Sequence, residues 1–200
     1  MEHLETRSLL LRHIVEEDFF VLHSWRNLET FRHFCSTRRG FVSLEQFREE
    51  LNNDLKRDRH RQLIALRKKN TSPVGTMWTY NMNLTDGYVF ITTFVEPNYE
   101  RFGYGVEMFA ATMYSLFNTF SQLNKIYTEV YSYNNHSLNI MKRFGFSEEG
   151  VFLEHRLLNG TRYNLHRLAF YRTDFLSKLD FVSKLLSNHG DAQDLQTLND

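Results

Sequence analysis

The chain has 200 residues, a formal charge of zero from 24 Lys+Arg against 24 Asp+Glu, and one cysteine, Cys35. A balanced charge argues against nucleic acid as the partner, because neutralising phosphates needs a basic excess. A lone cysteine excludes an intrachain disulfide and a cysteine-built metal site, and fits a reducing compartment.

No apolar run approaches the roughly 20 residues a membrane helix needs. The charged start Met1-Glu2-His3-Leu4-Glu5 lacks the apolar centre of a signal peptide. The cytoplasm is therefore the expected location, with no membrane partner. The nine histidines form no HExxH pair or tight cluster, so no metal is expected. The length suits one domain, expected over residues 1–175, followed over 176–200 by a helix and a polar, partly disordered tail.

Ser8 to Ile14 reads as a strand. Glu16-Glu17-Asp18 then opens a helix to about Asn27, since acidic residues suit the positive helix end. Ser43 with Gln46 three residues on forms a capping box for an amphipathic helix from Leu44 to about Asp58. The basic stretch Lys56 to Arg61 at its end reads as a solvated helix terminus. Gln62 to Arg67 is a short strand, Val74 to Met82 another, and Tyr88 to Val95 a strong one rich in β-branched and aromatic residues.

From Gly105 to about Ser121, apolar side chains at Val106, Phe109, Ala110, Met113, Phe117 and Phe120 mark a helix with one buried stripe. Ile126 to Tyr131 is a strand, and Ser137 to Phe144 a short helix closed by Gly145. Phe152 to Leu158 and Tyr163 to Tyr171 make a hairpin across Asn159-Gly160. Asp174 to Asn188 has the spacing of a terminal helix. This alternation gives an α/β or α+β fold.

Two segments carry the chemistry. In the first, Phe94-Val95 ends a strand, and Arg101-Phe102-Gly103-Tyr104-Gly105 leads directly into a helix. A helix start offers free amides to a pyrophosphate, and glycine allows the backbone to come close. The dinucleotide fingerprint GxGxxG is absent, because Met108 stands at its third glycine. In the second, Asn134 and Ser137 stand at a strand end. An asparagine there can hold an amide through both donor and acceptor, and Ser137 is a candidate cap.

Together with the opening Leu4-Glu5-Thr6-Arg7-Ser8-Leu9-Leu10-Leu11-Arg12 and the later Trp25-Arg26, these segments resemble the GNAT superfamily of acyl-CoA-dependent N-acyltransferases. The chain is most similar to the branch that acetylates N-termini of ribosomal proteins, over about residues 4–175. The resemblance implies a central mixed, mostly antiparallel sheet with two splayed strands, flanked by helices. It implies acetyl-CoA or another acyl-CoA as co-substrate, and pantetheine pairing with backbone near Phe94 and Val95. The amides of Arg101 to Gly105 would hold the pyrophosphate, and Asn134 and Ser137 the pantetheine arm. Two positions depart from the family pattern. Glu100 replaces the usual Gln or Arg, and Met141 the tyrosine that many relatives use as an acid.

Direct attack of a neutral amine on a thioester needs a base but no enzyme nucleophile. Glu129 is the candidate base, with Tyr131 on the same strand face; Glu96 and His136 are alternatives. Cys35 reads as a buried structural thiol. The acceptor side is expected to involve Trp25 to Phe41 and the late hairpin, where Trp25, Phe31, Phe34, Phe41, Phe152 and Tyr163 are candidate lining. The acceptor is an amine-bearing small molecule, a peptide or a protein N-terminus, and the chain is a monomer or homodimer. A longer-chain or carrier-protein-dependent acyltransferase, and a non-catalytic acyl-CoA sensor, remain the alternatives.

Overall fold

A computed structural model describes residues 3–36, 39–56 and 61–186. Eight strands form one sheet: β1 (His3–Glu5), β2 (Leu9–His13), β3 (Arg61–Arg67), β4 (Pro73–Asn83), β5 (Tyr88–Val95), β6 (Lys125–Tyr131), β7 (Ser147–Leu158) and β8 (Thr161–Tyr171). Their spatial order is β1-β2-β3-β4-β5-β6-β8-β7. Every neighbouring pair is antiparallel except β5 and β6, which run parallel. This is the mixed, mostly antiparallel sheet that the sequence led us to expect.

The two sheet faces bury different helices. On one lie α1 (Phe19–Arg26) and α3 (Leu44–Leu55), whose Leu22, Trp25, Phe47 and Leu51 pack with Ile64 and Phe94. On the other lie α4 (Tyr104–Thr119), α5 (Asn135–Phe144), and α6 and α7 (Arg172–Ser177, Leu179–Leu186), packed on Ala65, Ile91, Ile126 and Leu168. Ile64 and Ala65 fall in opposite clusters because strand side chains alternate. Full burial of side chains such as Leu9, Ile91, Met108 and Phe117 stabilises by about 1.5–3 kcal/mol each before entropy is charged against it.

Several boundaries differ from expectation. The three-residue β1 is too short to show a period. A further helix, α2 (Glu29–Phe34), buries none of its residues fully and so has no apolar stripe to read. Strand β7 starts at Ser147 rather than Phe152. It is an edge strand, mostly exposed, and its register on β8 shifts twice, which erases the alternation. Helix α5 starts at Asn135, two residues early, and its cap is Asn134 rather than Ser137. The expected single terminal helix is broken at Lys178 into α6 and α7. The expected disordered tail, and residues 57–60 of the basic stretch, lie outside the described residues.

Helix α4 is fixed at both ends. At its start, the buried Glu107 carboxylate accepts from Thr6 Oγ1 at 2.5 Å and from the Ser8 amide at 3.1 Å. At its far end Arg172 donates to the carbonyls of Phe117, Phe120 and Leu123 at 2.9, 2.6 and 2.7 Å. A cation on the last carbonyls suits the negative helix end. Phe175 packs on Phe117 with ring centroids 5.0 Å apart, so α6 is joined to the same helix.

Candidate active site

Strands β5 and β6 pair only at Tyr88/Lys125, Val89/Ile126 and Phe90/Tyr127. Beyond Phe90 and Tyr127 both strands continue, to Val95 and Tyr131, with no ladder between them. The end of β5 stays on β4 instead: Gly75 pairs with Val95, and the Glu96 amide donates to Val74 O at 2.9 Å. A Cβ on Gly75 would stand 2.3 Å from the Phe94 carbonyl oxygen, so only glycine allows this approach. The result is a wedge-shaped gap in the sheet, opening toward the strands' C-terminal ends.

The loop that follows β5 stands at that opening. A 3-10 turn, Pro97–Tyr99, is capped by Glu96, whose carboxylate accepts from the Asn98 amide at 3.0 Å and from Asn98 Nδ2 at 2.8 Å. Each Glu96 oxygen thus accepts one hydrogen bond from Asn98. Arg101 (φ 71°) and Gly103 (φ 81°) are both left-handed, a loop geometry that turns successive amides toward a common anion. Gly103 is the residue before α4, and no side chain caps that helix. Its first amides therefore face outward without intrahelical acceptors. A Cβ on Gly103 meets nothing within 4 Å, so the space beside this loop is open. Gly105 lies over Val95, with Cγ2 at 3.4 Å from its ideal Cβ position.

The structure thus brings Val95 and Arg101 to Gly105 together. Phe94 and Tyr104 contribute backbone only: the Phe94 ring packs on Trp25 and Phe31 at 5.8 and 5.0 Å, and Tyr104 is buried against Tyr99 and the exposed Phe102. Across the wedge, Asn134 Oδ1 accepts from the Ser137 amide at 3.2 Å. Its amide nitrogen is left for another partner. Met141 is buried in the core and carries no proton to give.

Glu129 and Tyr131 lie on the part of β6 that borders the wedge, on the face shared with α1 and α3. Arg167 donates to Glu129 Oε1 through Nη2 at 2.7 Å and Nε at 3.1 Å. Both bonds fall on one oxygen; Oε2 makes no hydrogen bond to the described residues. Arg167 is itself cradled by the rings of Phe90, Tyr127 and Phe152, at 5.1, 5.7 and 5.0 Å. Tyr80 stands beside this pair. Burial pushes its phenol up to about 12, and the Glu129 charge adds to the rise.

Helix α2 roofs the wedge. Phe31 stacks on Trp78 at 5.9 Å, and Cys35 Sγ donates to Thr93 O at 3.8 Å. Cys35 is half-buried rather than fully buried as expected, and desolvation pushes its thiol up to about 12. On the other side, Tyr133 donates to His33 O at 2.5 Å. Arg156, buried, donates to Ser36 O at 2.9 Å, Arg32 O at 3.1 Å and Tyr131 Oη at 3.1 Å. Of the expected acceptor-side aromatics, Trp25 is core, Phe41 is exposed, and Phe34 and Tyr163 pack on Tyr133 at 5.7 and 4.9 Å. Sequence reading missed Tyr80, Arg156 and Arg167. The one available signal was Arg167 on β8, a strand otherwise patterned for burial; Arg156 on the exposed β7 gave none.

The family model described as an acetyltransferase (GNAT) domain matches residues 8–147. Among curated protein sequences none matches the chain. Solved structures of the same fold include spermidine N-acetyltransferase from Vibrio cholerae in complex with CoA and spermine. It is 18% identical with a TM-score of 0.76, over 84% of this chain and 98% of that one. The ribosomal L7/L12 alpha-N-protein acetyltransferase in complex with coenzyme A is 14% identical with a TM-score of 0.73, over 84% and 96%. An acetyltransferase of the GNAT family from Bacillus anthracis is 18% identical with a TM-score of 0.71, over 84% and 98%. With the family model covering most of the chain, and with the wedge and helix start in place, the chain belongs to the GNAT acetyltransferase family and is an acyl-CoA-dependent N-acetyltransferase of that class.

Proposed function

We propose that this enzyme moves an acetyl group from coenzyme A to a primary amine, by direct attack in a ternary complex formed across the wedge between β5 and β6. The observation that carries this is the loss of β5–β6 pairing after Phe90/Tyr127, directly before the left-handed loop at the start of α4. An extended pantetheine arm fits where a strand's ladder is missing, and a pyrophosphate fits the amides of Arg101 to Gly105. The open space at the Gly103 Cβ position supports that fit. Coenzyme A supplies the activated thioester; the chain supplies position and proton transfer.

Glu129 Oε2 is the base. With Oε1 held by Arg167, the carboxylate keeps a fixed orientation and one free oxygen, which takes the amine proton directly or through one water. The amine nitrogen then bonds to the carbonyl carbon, and the carbon–sulfur bond breaks. Tyr131 is the proton donor on the opposite side of the transfer. Its oxygen already accepts from Arg156, so its own O–H is free to donate to the developing oxyanion or to the thiolate. The roof of α2 excludes water and so strengthens these interactions.

The test is release of free thiol from acetyl-CoA in the presence of amines, beside a calorimetric titration with coenzyme A. Binding in the micromolar range with amine-dependent thiol release is expected. Binding without turnover on any amine would leave only an acyl-CoA-binding protein and overturn the reading.

A further inference from the structure

We propose that the acceptor amine of this enzyme carries an anionic group, a carboxylate or a phosphate, a few bonds from the nitrogen, and that a polyamine is not its substrate. The inference rests on the acyltransferase reading above and concerns the charge around its acceptor mouth.

Helix α2, which supplies the roof over the wedge, and the described residues that follow it carry Arg32 and Arg39 and a single carboxylate, Glu29. Three cations gather beside the C-terminal end of β6. Arg156 lies over the Tyr131 ring at 4.7 Å and donates to Arg32 O and Ser36 O. Arg32 Nη1 donates to Arg39 O at 3.1 Å. The Arg39 charge acts on the Tyr133 phenol, whose ring stacks on Tyr131 at 5.4 Å. Among the described residues none of Arg32, Arg39 and Arg156 has a carboxylate partner. The hydrogen bonds donated by Arg32 and Arg156 go to carbonyls and a phenol, which satisfy donors but leave the charge standing. The Nε donors of Arg32 and Arg156 are buried without any acceptor.

The carboxylates nearby do not offset this. Glu129 is paired with Arg167, and Glu29 is exposed, 3.8 Å from His33. A chain of ammonium groups would meet uncompensated guanidinium charge at close range, and like charges facing each other are unfavourable. An amine bearing an anion presents its nitrogen to Glu129 Oε2 and its negative group to the cations beyond Tyr131. The standing positive charge favours a carboxylate and a phosphate alike.

The experiment compares kcat/KM for three tripeptide amines, Ser-Asp-Ala, Ser-Ala-Ala and Ser-Lys-Ala, together with glutamate, O-phosphoserine and spermidine, with acetyl-CoA saturating. The acidic peptide is expected to exceed the lysine peptide and spermidine by at least about tenfold. The advantage should shrink in 0.5 M salt and reverse in Arg39→Glu, while coenzyme A affinity stays as in the parent. The peptides and the free amino acids separate a chain N-terminus from a small acid as the source of the anion. Spermidine turned over as well as, or better than, the acidic amines would overturn the inference and leave the acyltransferase reading standing. No turnover with any amine would overturn that reading, and the inference with it.

Discussion

Arg156 on β7 and Arg32 on α2 are 124 positions apart, yet the guanidinium of one lies 3.1 Å from the carbonyl oxygen of the other. A cation at the end of α2 complements the negative helix terminus. Because β7 belongs to the far side of the wedge, the contact bolts the two sides together. Arg156→Leu should strand the carbonyls of Arg32 and Ser36 and the Tyr131 hydroxyl. At about 1.5–3 kcal/mol for each bond to a charged donor, discounted for non-additivity, a loss of at least about 2 kcal/mol is expected. Urea denaturation measures it, and unchanged stability would show the bolt to be incidental. Arg156→Lys should recover only part, because one ammonium cannot replace the fork.

Gly103→Asp should reduce coenzyme A affinity at least tenfold with little change in fold. The position is left-handed, which costs a non-glycine residue about 1 kcal/mol, but its Cβ meets nothing within 4 Å. The new carboxylate would stand on the loop whose amides are proposed to take the pyrophosphate. Gly103→Ala separates backbone strain from charge. Thermal melts beside a coenzyme A titration read both; a folded Gly103→Asp protein with normal affinity would remove this loop from the binding site.

Asn134→Asp and Asn134→Ala split two roles. Both lose the amide donor, but the aspartate keeps an oxygen for the Ser137 amide. Aspartate should bind coenzyme A more weakly while keeping stability. Alanine should in addition lose about 1 kcal/mol of helix capping. Equal coenzyme A affinity in all three proteins would confine Asn134 to the cap.

Glu129→Gln should lower kcat by about 10²–10³ with coenzyme A affinity unchanged, as for a group acting in the transition state. The isosteric amide still accepts from Arg167, so a structural effect is held small. Wild-type kcat in Glu129→Gln would send the base elsewhere.

Cys35 gives a pH prediction. Burial raises its pKa from 9.0 to about 12. The fold thus favours the neutral thiol, and this stabilisation is complete below pH 9 and lost as pH rises toward 12. Three units mean about a thousandfold less thiolate at pH 8, so alkylation of the native protein should be slower than in urea by at least about a hundredfold. Equal labelling rates would show the thiol to be open.

How much of this was legible depended on burial. The limits of Tyr88–Val95 were readable because a continuous β-branched and aromatic run has no other use in a buried strand. Helix α4 was readable from its stripe, and Gly103 from standing between a strand and a helix. Asn134 was evident as a residue at a strand end, but its capping of α5 was not. Strand β7 and helix α2 were opaque, since one is an exposed edge with two register shifts and the other buries no residue fully. Arg156 joins them through carbonyls, and carbonyls have no residue identity to read. Contacts between side chain and backbone across 124 positions leave no trace in periodicity or motif.

The short seam between β5 and β6 gives the sheet two extra rims. An ordinary open sheet has two outer borders, which proteins blunt because they invite other chains to add on. Here a second pair of borders lies inside the molecule, along Ile91–Val95 and Thr128–Tyr131. They lie beneath α2 rather than along the outer border of the sheet. What they offer is a measured row of amides and carbonyls that any extended arm of peptide-like bonds can read, whatever terminal group it carries. If the proposed function holds, the same inner rims would grip a family of donors alike, and the choice among acceptors would fall to groups beyond them.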